Sequence, residues 1–217
     1  MPKRAQRRPY QRGIETRTRL VEAALHEFSE KGFEGASTRS MAGRAGVAQS
    51  AVRHHFATKE ALWRAAADHV FVPLRDQYEA RVASLADVDE RTRLRLVIRD
   101  LVRFAAAHPE LLRLMVQEGI HPSARSRWLQ ERHLRPLLEA LTAQWQALES
   151  EGLRLPAPPT LLQYMVIGAS SVPYSVAGEY ERFSGQDPFD KDAIEAHADA
   201  VVALFLPETT TEREAKR

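Results

Sequence analysis

Apolar residues recur at helical spacing along most of this 217-residue chain. Near its start, Val21, Leu25 and Phe28 occupy positions i, i+4 and i+7, which places them on one face of a helix. Glu22 and Glu27 fall between these residues and are expected to face solvent. No run of alternating apolar and polar residues bounded by hairpin turns stands out. The pattern therefore predicts an all-α protein of about nine helices.

Glycines and capping residues predict where the helices begin and end. The first helix is expected to start near Thr16 and to end at Gly32, because glycine suits the left-handed conformation that follows a helix. A short second helix should follow Ser37, whose hydroxyl can cap exposed N–H groups, and a third should cover residues 49–56. The remaining helices are predicted from Lys59 towards Ala83 with Thr58 as its cap, after Asp89, after Pro109, over residues 123–148 with an interruption at Pro136, over residues 160–177 and over residues 191–206.

Charge is distributed unevenly along the chain. Residues 1–75 contain 14 Lys and Arg against 7 Asp and Glu, a balance of +7, whereas the remainder has a balance of −5. A basic part followed by an acidic part indicates contact with a polyanion, either nucleic acid or an anionic membrane surface. Chance clustering on a solvated surface is the alternative.

Composition excludes several classes of protein. The chain has no cysteine, so a disulfide scaffold, a cysteine nucleophile and a thiolate metal site are ruled out. The basic start is not followed by the apolar segment of a signal peptide, and a cytoplasmic location is expected. Residues 155–178 carry no formal charge but contain four prolines, so we interpret them as a buried interface rather than a membrane span.

The strongest local signal lies in residues 38–57. Two helices that cross closely need a small residue at the crossing, a residue tolerant of positive φ in the turn and an apolar residue on the second helix. Ala42, Gly46 and Val52 fill positions 5, 9 and 15 of this 20-residue window. The spacing predicts a helix-turn-helix within the basic part of the chain.

The outward face of the third helix has the side chains that a DNA-reading helix uses. With Val52 turned inward, this face presents Gln49, Ser50, Arg53 and His54. Gln can pair with adenine and Arg with guanine through two hydrogen bonds in the major groove. A polar solvated face on a three-helix domain is the alternative interpretation.

These residues carry a resemblance to a known family. The segments STRSMAGRAGV and HFATKEAL resemble the DNA-binding domain of TetR-type transcriptional regulators. The matching positions are Thr38, the Ala45-Gly46-Val47 turn, His55-Phe56 and Lys59-Glu60. The resemblance covers under a third of the chain, from about Ile14 to Pro73. It implies a sequence-specific transcriptional regulator, expected to be a repressor, with an N-terminal helix-turn-helix and a C-terminal helical domain.

The resemblance also implies a role for each matching residue. Thr38, His55 and Lys59 are expected to contact phosphates. Arg39, Gln49, Ser50 and His54 are expected to lie near bases. Arg53 stands where the family most often has Tyr, and it can either keep a phosphate contact or reach a guanine edge.

Four regions are predicted along the chain. Residues 1–13 are a basic flexible arm, residues 14–73 the DNA-binding domain, residues 74–207 a ligand-binding and dimerisation domain, and residues 208–217 a polar tail. Residues 2–19 contain seven Lys and Arg. Such an arm can follow phosphates or insert an Arg into a narrow minor groove, although a disordered solubility tail would have the same composition.

One recognition helix reads few bases, so a two-fold dimer on palindromic DNA is expected. The uncharged helix over residues 160–177 and the helix over residues 191–206 are the predicted interface. The run Gly168, Ala169, Ser170 and Ser171 would permit close approach of the backbones. Alternatively, both helices are core within one subunit.

A ligand pocket is inferred from the resemblance rather than from spacing. Large apolar and amphipathic side chains in the second domain would line a cavity for an unknown small, mostly apolar ligand that releases the protein from DNA. The predicted lining residues are Tyr78, Phe104, Met115, Trp128, His133, Trp145 and Tyr174. Taken singly, each of them is expected to be core rather than pocket lining.

No enzymatic activity, catalytic residue, cofactor or metal site is predicted. The HExxH, GxSxG, P-loop and GxGxxG patterns are absent from the sequence. A DNA-binding architectural protein without a ligand is the main alternative function, and footprinting separates the two, because a regulator protects a short palindromic site. Metal sensing through scattered His and acidic residues is a minor variant of the regulator.

Overall fold

The structure is a computed structural model that describes the backbone of residues 3–207 and the side chains from residue 11 onward. Every regular element in this part of the chain is helical, as the sequence predicts. A π-helical turn, Gln130–Leu134, separates two of the helices. The helices are α1 Lys3–Gly35, α2 Thr38–Arg44, α3 Gln49–His55, α4 Lys59–Ser84, α5 Glu90–Ala107, α6 Glu110–Ile120, α7 Ala124–Leu129, α8 Arg135–Ser150, α9 Pro159–Ser175, α10 Ala177–Ser184 and α11 Lys191–Phe205.

Two regions contain more helices than the sequence predicts. The single helix expected over residues 123–148 is divided into α7, the π-helical turn and α8. Pro136 has no N–H to donate to the carbonyl four residues earlier, which explains why regular α-helical bonding is interrupted beside it. The short helix α10 lies where no separate helix is predicted; it follows a break at Val176, where φ is −117°.

Helix α1 begins at Lys3, well before the start predicted near Thr16. Residues 3–13, predicted to be a flexible arm, therefore have helical backbone, and the Lys, Arg, Gln and Ala residues among them favour helix. At the other end, Gly32 breaks the helical geometry with a φ of 66°, at the predicted end of the helix. The predicted polar tail, residues 208–217, lies outside the described residues.

The chain divides into two compact units. The first unit comprises the residues up to Pro73 together with Arg113–Leu129, and the second comprises Leu74–Leu112 and the residues from Gln130 onward. The first unit thus adds a segment from later in the chain to the helix-turn-helix region. Its core is formed by side chains from α1 to α4 that are at most 6% exposed, among them Leu20, Phe28, Met41, Val52, Phe56 and Trp63.

The second unit has its own apolar core. Buried side chains from α5, α8, α9 and α11 form one cluster, so each of these helices contributes an apolar stripe to the same interior. Trp145 and Tyr174 are its largest members and are 2% and 1% exposed. Within residues 3–207, none of the helices has a stretch long and apolar enough to cross a lipid bilayer.

Candidate nucleic-acid interface

The turn between α2 and α3 has the geometry that the sequence predicts. Gly46 has a φ of 65°, in the left-handed region that favours glycine. The Val47 N–H donates to the Ala42 carbonyl at 3.0 Å, and the Gly46 N–H donates to the Gly43 carbonyl at 3.1 Å. These bonds use backbone groups that the end of α2 would otherwise leave unpaired, so the turn is short and well defined.

Helix α3 has one buried face and one exposed face. Val52 is 5% exposed and the following Phe56 is 6% exposed, so both pack into the first unit. The side chains on the other face are all exposed: Gln49, Ser50, Arg53 and His54. A row of polar groups held on a short rigid helix is the arrangement that enters a major groove.

Helix α2 is anchored to α1 by a buried carboxylate. Glu27 was expected to face solvent, but it is 2% exposed. Its Oε1 accepts hydrogen bonds from the Ser37 N–H at 3.3 Å and from Lys31 Nζ at 2.9 Å, and its Oε2 accepts one from the Ser40 hydroxyl at 3.0 Å. Helical periodicity alone did not show that the first turn of α2 lies over this side chain.

Hydrogen bonding keeps the Glu27 carboxylate ionised. Burial acts to raise the pKa of Glu27, but the hydrogen bonds and the nearby Lys31 ammonium outweigh it, so the pKa is lowered. An anion at this position also interacts favourably with the N-terminus of α2. Because the Ser37 and Ser40 donors lie 10 and 13 residues further along the chain, no local sequence signal identifies Glu27.

The predicted phosphate-contacting residues lie at the starts of α2 and α4 and at the end of α3. Thr38, His55 and Lys59 are each partly exposed, and Arg39 beside Thr38 is exposed. Lys59 Nζ donates to the Glu34 carbonyl at 3.4 Å and lies 4.7 Å from the centre of the Phe33 ring. The Lys59 ammonium therefore has a defined position in the structure.

Positive charge gathers around the end of α3. Burial lowers the pKa of His55, and the charges of His54 and Arg17 lower it further. The Arg17 guanidinium lies 5.1 Å from the centre of the Phe56 ring. Sequence reasoning treated Arg17 only as part of a basic arm, whereas the structure places it against the recognition helix.

A family model agrees with this description of the first unit. Residues 20–66 match the model for the bacterial regulatory proteins of the tetR family. The match begins in α1, contains all of α2 and α3, and ends in α4. Residues 20–66 therefore carry the sequence pattern of the tetR family. The TetR-type motifs identified in the sequence thus lie on the turn and the exposed face described above.

Curated TetR-family relatives match part of the chain. The HTH-type transcriptional regulator CymR of Pseudomonas putida is 36% identical over 89 residues, which is 41% of this chain and 43% of CymR. The HTH-type transcriptional repressor AcnR of Corynebacterium diphtheriae is 31% identical over 137 residues, 60% of this chain and 63% of AcnR. The chain therefore spans less than two thirds of the length of either relative.

A solved structure resembles the whole fold. AibR, in a complex with isovaleryl coenzyme A and operator DNA, matches with a TM-score of 0.66 over 89% of this chain and 100% of the AibR chain. The sequence identity is 18%, so this likeness concerns the fold. It extends the resemblance from the helix-turn-helix region to the helices of the second unit.

The second unit contains a small cavity of about 40 Å³. Its wall is mostly apolar and includes Leu94, Ile98 and Trp145, with Arg81, Asp100 and Gln163 as polar members. Gln163 is 2% exposed, so an amide side chain forms part of a buried apolar wall. The volume suits a few water molecules, whereas drug-sized ligands occupy roughly 300–1,000 Å³. A ligand of that size would require the lining side chains to move.

Only two of the seven predicted pocket residues line this cavity, namely Tyr78 and Trp145. Tyr174 lines a separate, more open cleft of about 250 Å³. Met115 and Trp128 belong to the first unit, where Trp128 packs against Trp63 with ring centres 5.7 Å apart. Phe104 and His133 are buried elsewhere in the second unit. Side-chain size indicated burial but did not indicate which helices meet.

Tyr174 joins α9 to α11 through a histidine. The Tyr174 hydroxyl lies 3.0 Å from Nδ1 of His197, and Nε2 of His197 lies 2.9 Å from the Ala169 carbonyl. A carbonyl oxygen only accepts, so Nε2 carries the proton and Nδ1 accepts from the Tyr174 O–H. Burial raises the pKa of Tyr174 to about 12, which keeps this hydroxyl protonated.

The two helices predicted for dimerisation differ in what they expose. The α11 stripe packs inward, since Ala198, Val201 and Val202 are at most 4% exposed. Helix α9 has apolar residues on both sides, and its outward side chains are about half exposed: Leu161, Tyr164, Met165 and Val172. Ser170 and Ser171, expected to permit close approach of two subunits, are buried within the second unit.

In the part of the chain that the structure describes, no group of three His, Asp or Glu side chains has an arrangement that could hold a metal ion. This observation does not test the expectation that no metal or cofactor takes part, which stays a prediction.

Proposed function

We propose that the chain is a sequence-specific DNA-binding transcriptional regulator, and specifically a repressor that a small, mostly apolar ligand releases from a palindromic operator. The observation that carries this proposal is the exposed row of Gln49, Ser50, Arg53 and His54 on α3, next to the buried Val52. If α3 served only to cover a core, its polar residues would not require the positive-φ turn at Gly46. They would also not require the buried Glu27 that anchors α2.

Contacts with DNA divide into two kinds. Gln49 would read adenine through two hydrogen bonds, and Arg53 would pair with guanine or a phosphate. Thr38, His55 and Lys59 would contact phosphates and fix the register of α3 in the groove. The exposed Arg39, Ser50 and His54 would lie near base edges. Since His55 has a lowered pKa, it would act as a neutral hydrogen-bond donor at neutral pH.

A homodimer would place two copies of α3 on the two halves of a palindrome. Recognition helices of such dimers sit about 34–36 Å apart, one turn of DNA. The outward apolar side chains of α9 support this helix as the main interface, and the outward residues of α11, such as the 71% exposed Leu204, extend it. An exposed apolar face of this kind on a helix indicates a partner surface.

Ligand control would operate through the second unit. The cavity beside Tyr78 and Trp145 borders the C-terminal half of α4, and α4 begins at Lys59 in the first unit. A ligand that forced the cavity open would displace this shared helix and change the spacing of the two recognition helices. AcnR is named as a repressor, which supports repression, and AibR was solved with isovaleryl coenzyme A and operator DNA, which supports a ligand site in a DNA-binding protein of this fold.

In vitro selection of duplexes by the purified full-length chain, followed by footprinting, tests the proposal. We expect one short palindromic protected site at a stated salt concentration. Protection spread without sequence preference would favour an architectural DNA-binding protein instead. A screen for compounds that release the selected duplex then tests ligand control. Gln163→Leu should shift the ligand concentration needed for release and leave ligand-free DNA affinity unchanged.

A further inference from the structure

A late segment of the chain is built into the DNA-binding unit. Residues Arg113–Leu129 belong to the first unit although they lie outside the stretch that matches the family model. The segment approaches the Gly32 turn closely, because a Cβ placed on Gly32 would lie 3.0 Å from Gln117 Oε1. The same turn leads directly to Phe33, which is where the segment makes its strongest contact.

Arg125 of α7 lies on the Phe33 ring. Its guanidinium carbon is 3.7 Å from the ring centre, which is stacking distance. Arg125 Nε also donates to Glu118 Oε1 at 3.4 Å, and the side chains of Arg125 and Glu118 are 20% and 5% exposed. This partly buried ion pair fixes the guanidinium in place, and Glu34 Oε1 lies 4.0 Å from Arg125 Nη1 on its exposed side.

The same ring receives a second cation. Lys59 Nζ lies 4.7 Å from the centre of the Phe33 ring and donates to the Glu34 carbonyl. Phe28 stacks parallel to Phe33 at a centre-to-centre distance of 5.7 Å, so the orientation of the ring is fixed from within the core. Two cations thus share one aromatic ring, and Arg125 is the closer of the two.

We propose that Arg125 is a positioning residue for DNA binding, which it promotes by occupying the Phe33 ring and keeping the Lys59 ammonium available to a phosphate. The guanidinium lies 3.7 Å from the ring centre and the Lys59 ammonium 4.7 Å, so Arg125 occupies the nearer position. Without the guanidinium, the ring would attract Lys59 alone, and the ammonium would move closer to the ring centre and away from a DNA phosphate. The inference rests on the proposed function, because Lys59 is assigned there to a phosphate.

A double-mutant cycle on the full-length chain tests the inference with the selected duplex. Arg125→Met should weaken binding about tenfold and reduce the magnitude of the slope of log affinity against log salt by about one ion. In a Lys59→Met background, Arg125→Met should change DNA affinity less than twofold, because the contact that it positions is already absent. If the role of Arg125 were purely structural, Arg125→Met would lower thermal stability but would show no coupling to Lys59 in DNA binding. The salt slope would then stay unchanged.

Two further variants keep the test decisive. Arg127→Met removes a charge from the same short helix at an exposed position and should leave the salt slope unchanged, which excludes a long-range charge effect. If Arg125→Met does not fold, Phe33→Leu is the second test: it removes the ring that would draw Lys59 away, so it should neither weaken binding of the selected duplex nor reduce the salt slope, and a tenfold loss of affinity would contradict the inference. Additive effects of Arg125 and Lys59 would overturn the inference. If the wild-type chain selects no duplex, the proposed function fails instead.

Discussion

Removal of the Glu27 carboxylate should loosen α2 before it affects the rest of the first unit. The carboxylate is 2% exposed and links α1 to the first turn of α2 through the Ser37 N–H and the Ser40 hydroxyl. Glu27→Ala leaves both groups without this partner, and because Ser37 and Ser40 are exposed, water can replace part of each bond. Because Ser37 is also the N-cap residue of α2, the start of the helix-turn-helix loses its main attachment to α1.

The magnitude follows from the three hydrogen bonds. A hydrogen bond to a charged group contributes about 1.5–3 kcal/mol to stability when buried. The bond from Lys31 counts for little, since that side chain is 48% exposed and its ion pair is solvated. The two remaining bonds, reduced by the relief of burying a charge and by water that can replace part of each bond at the exposed serines, give a loss of roughly 2–4 kcal/mol. At about 2–4 °C per kcal/mol for a chain of this size, Tm should fall by roughly 4–16 °C.

The assay is thermal and urea unfolding followed by circular dichroism, with amide hydrogen exchange over residues 37–44. The pH dependence is obtained by comparing the stability of the wild type with that of Glu27→Gln. The pKa of Glu27 is lowered on folding, so its stabilisation is present above the unfolded pKa near 4.5 and is lost as the pH falls through the folded pKa. The stability gap between the wild type and Glu27→Gln should therefore close on acidification below that value.

Glu22 is the matched control, because it lies on the same helix and is exposed. Glu22→Ala should change the free energy of unfolding by less than about 0.5 kcal/mol. The reasoning about Glu27 is refuted if Glu27→Ala is as mild as Glu22→Ala. It is also refuted if the gap to Glu27→Gln stays constant from neutral pH to pH 3.5.

Three further predictions concern the turn, the dimer and the second unit. Gly46→Ala should lower the free energy of unfolding, measured with urea, by about 1–2 kcal/mol, because an L-residue is strained at positive φ. Gly43→Ala, inside α2, should not lower the free energy of unfolding. Equal effects of the two substitutions would contradict this reasoning. Met165→Glu should produce monomers in sedimentation analysis, and Phe183→Glu, on the 90% exposed residue of α10, should leave the dimer intact. Burial lowers the pKa of His197, so the folded protein favours the neutral imidazole. Acidification below about pH 6.5 should therefore destabilise the wild type and narrow the difference in free energy of unfolding between the wild type and His197→Gln. A difference that stays constant with pH would contradict this prediction.

Local signals in the sequence predicted the helix-turn-helix well. The turn at Gly46 and the caps at Thr58 and Asp89 depend on residues within four positions of one another, and the structure contains each of them. The Ala61 N–H donates to Thr58 Oγ1 at 3.0 Å, and the Thr92 N–H donates to Asp89 Oδ1 at 2.9 Å. Interactions of this kind are encoded by short stretches of sequence, so spacing rules detect them.

Contacts between distant parts of the chain could not be predicted in this way. The placement of Arg125 on Phe33 depends on how α7 packs against α1, and periodicity identifies the face of a helix but not its partner. The same limit explains why Tyr78 and Trp145 line one cavity while Tyr174 lines another. Glu27 was assigned to solvent because an acidic residue is rarely buried without several donors, and the donors lie 10 and 13 residues away.

The specificity ratio of Gln49→Ala tests the central claim most directly. The ratio compares affinity for the selected palindrome with affinity for a scrambled duplex at the same salt concentration. We predict that Gln49→Ala lowers it by about 5- to 150-fold, the loss of one bidentate base contact, whereas Lys59→Ala weakens both duplexes alike. An unchanged ratio in Gln49→Ala, or a wild-type chain that binds both duplexes equally, would contradict the assignment of α3 as the helix that reads DNA.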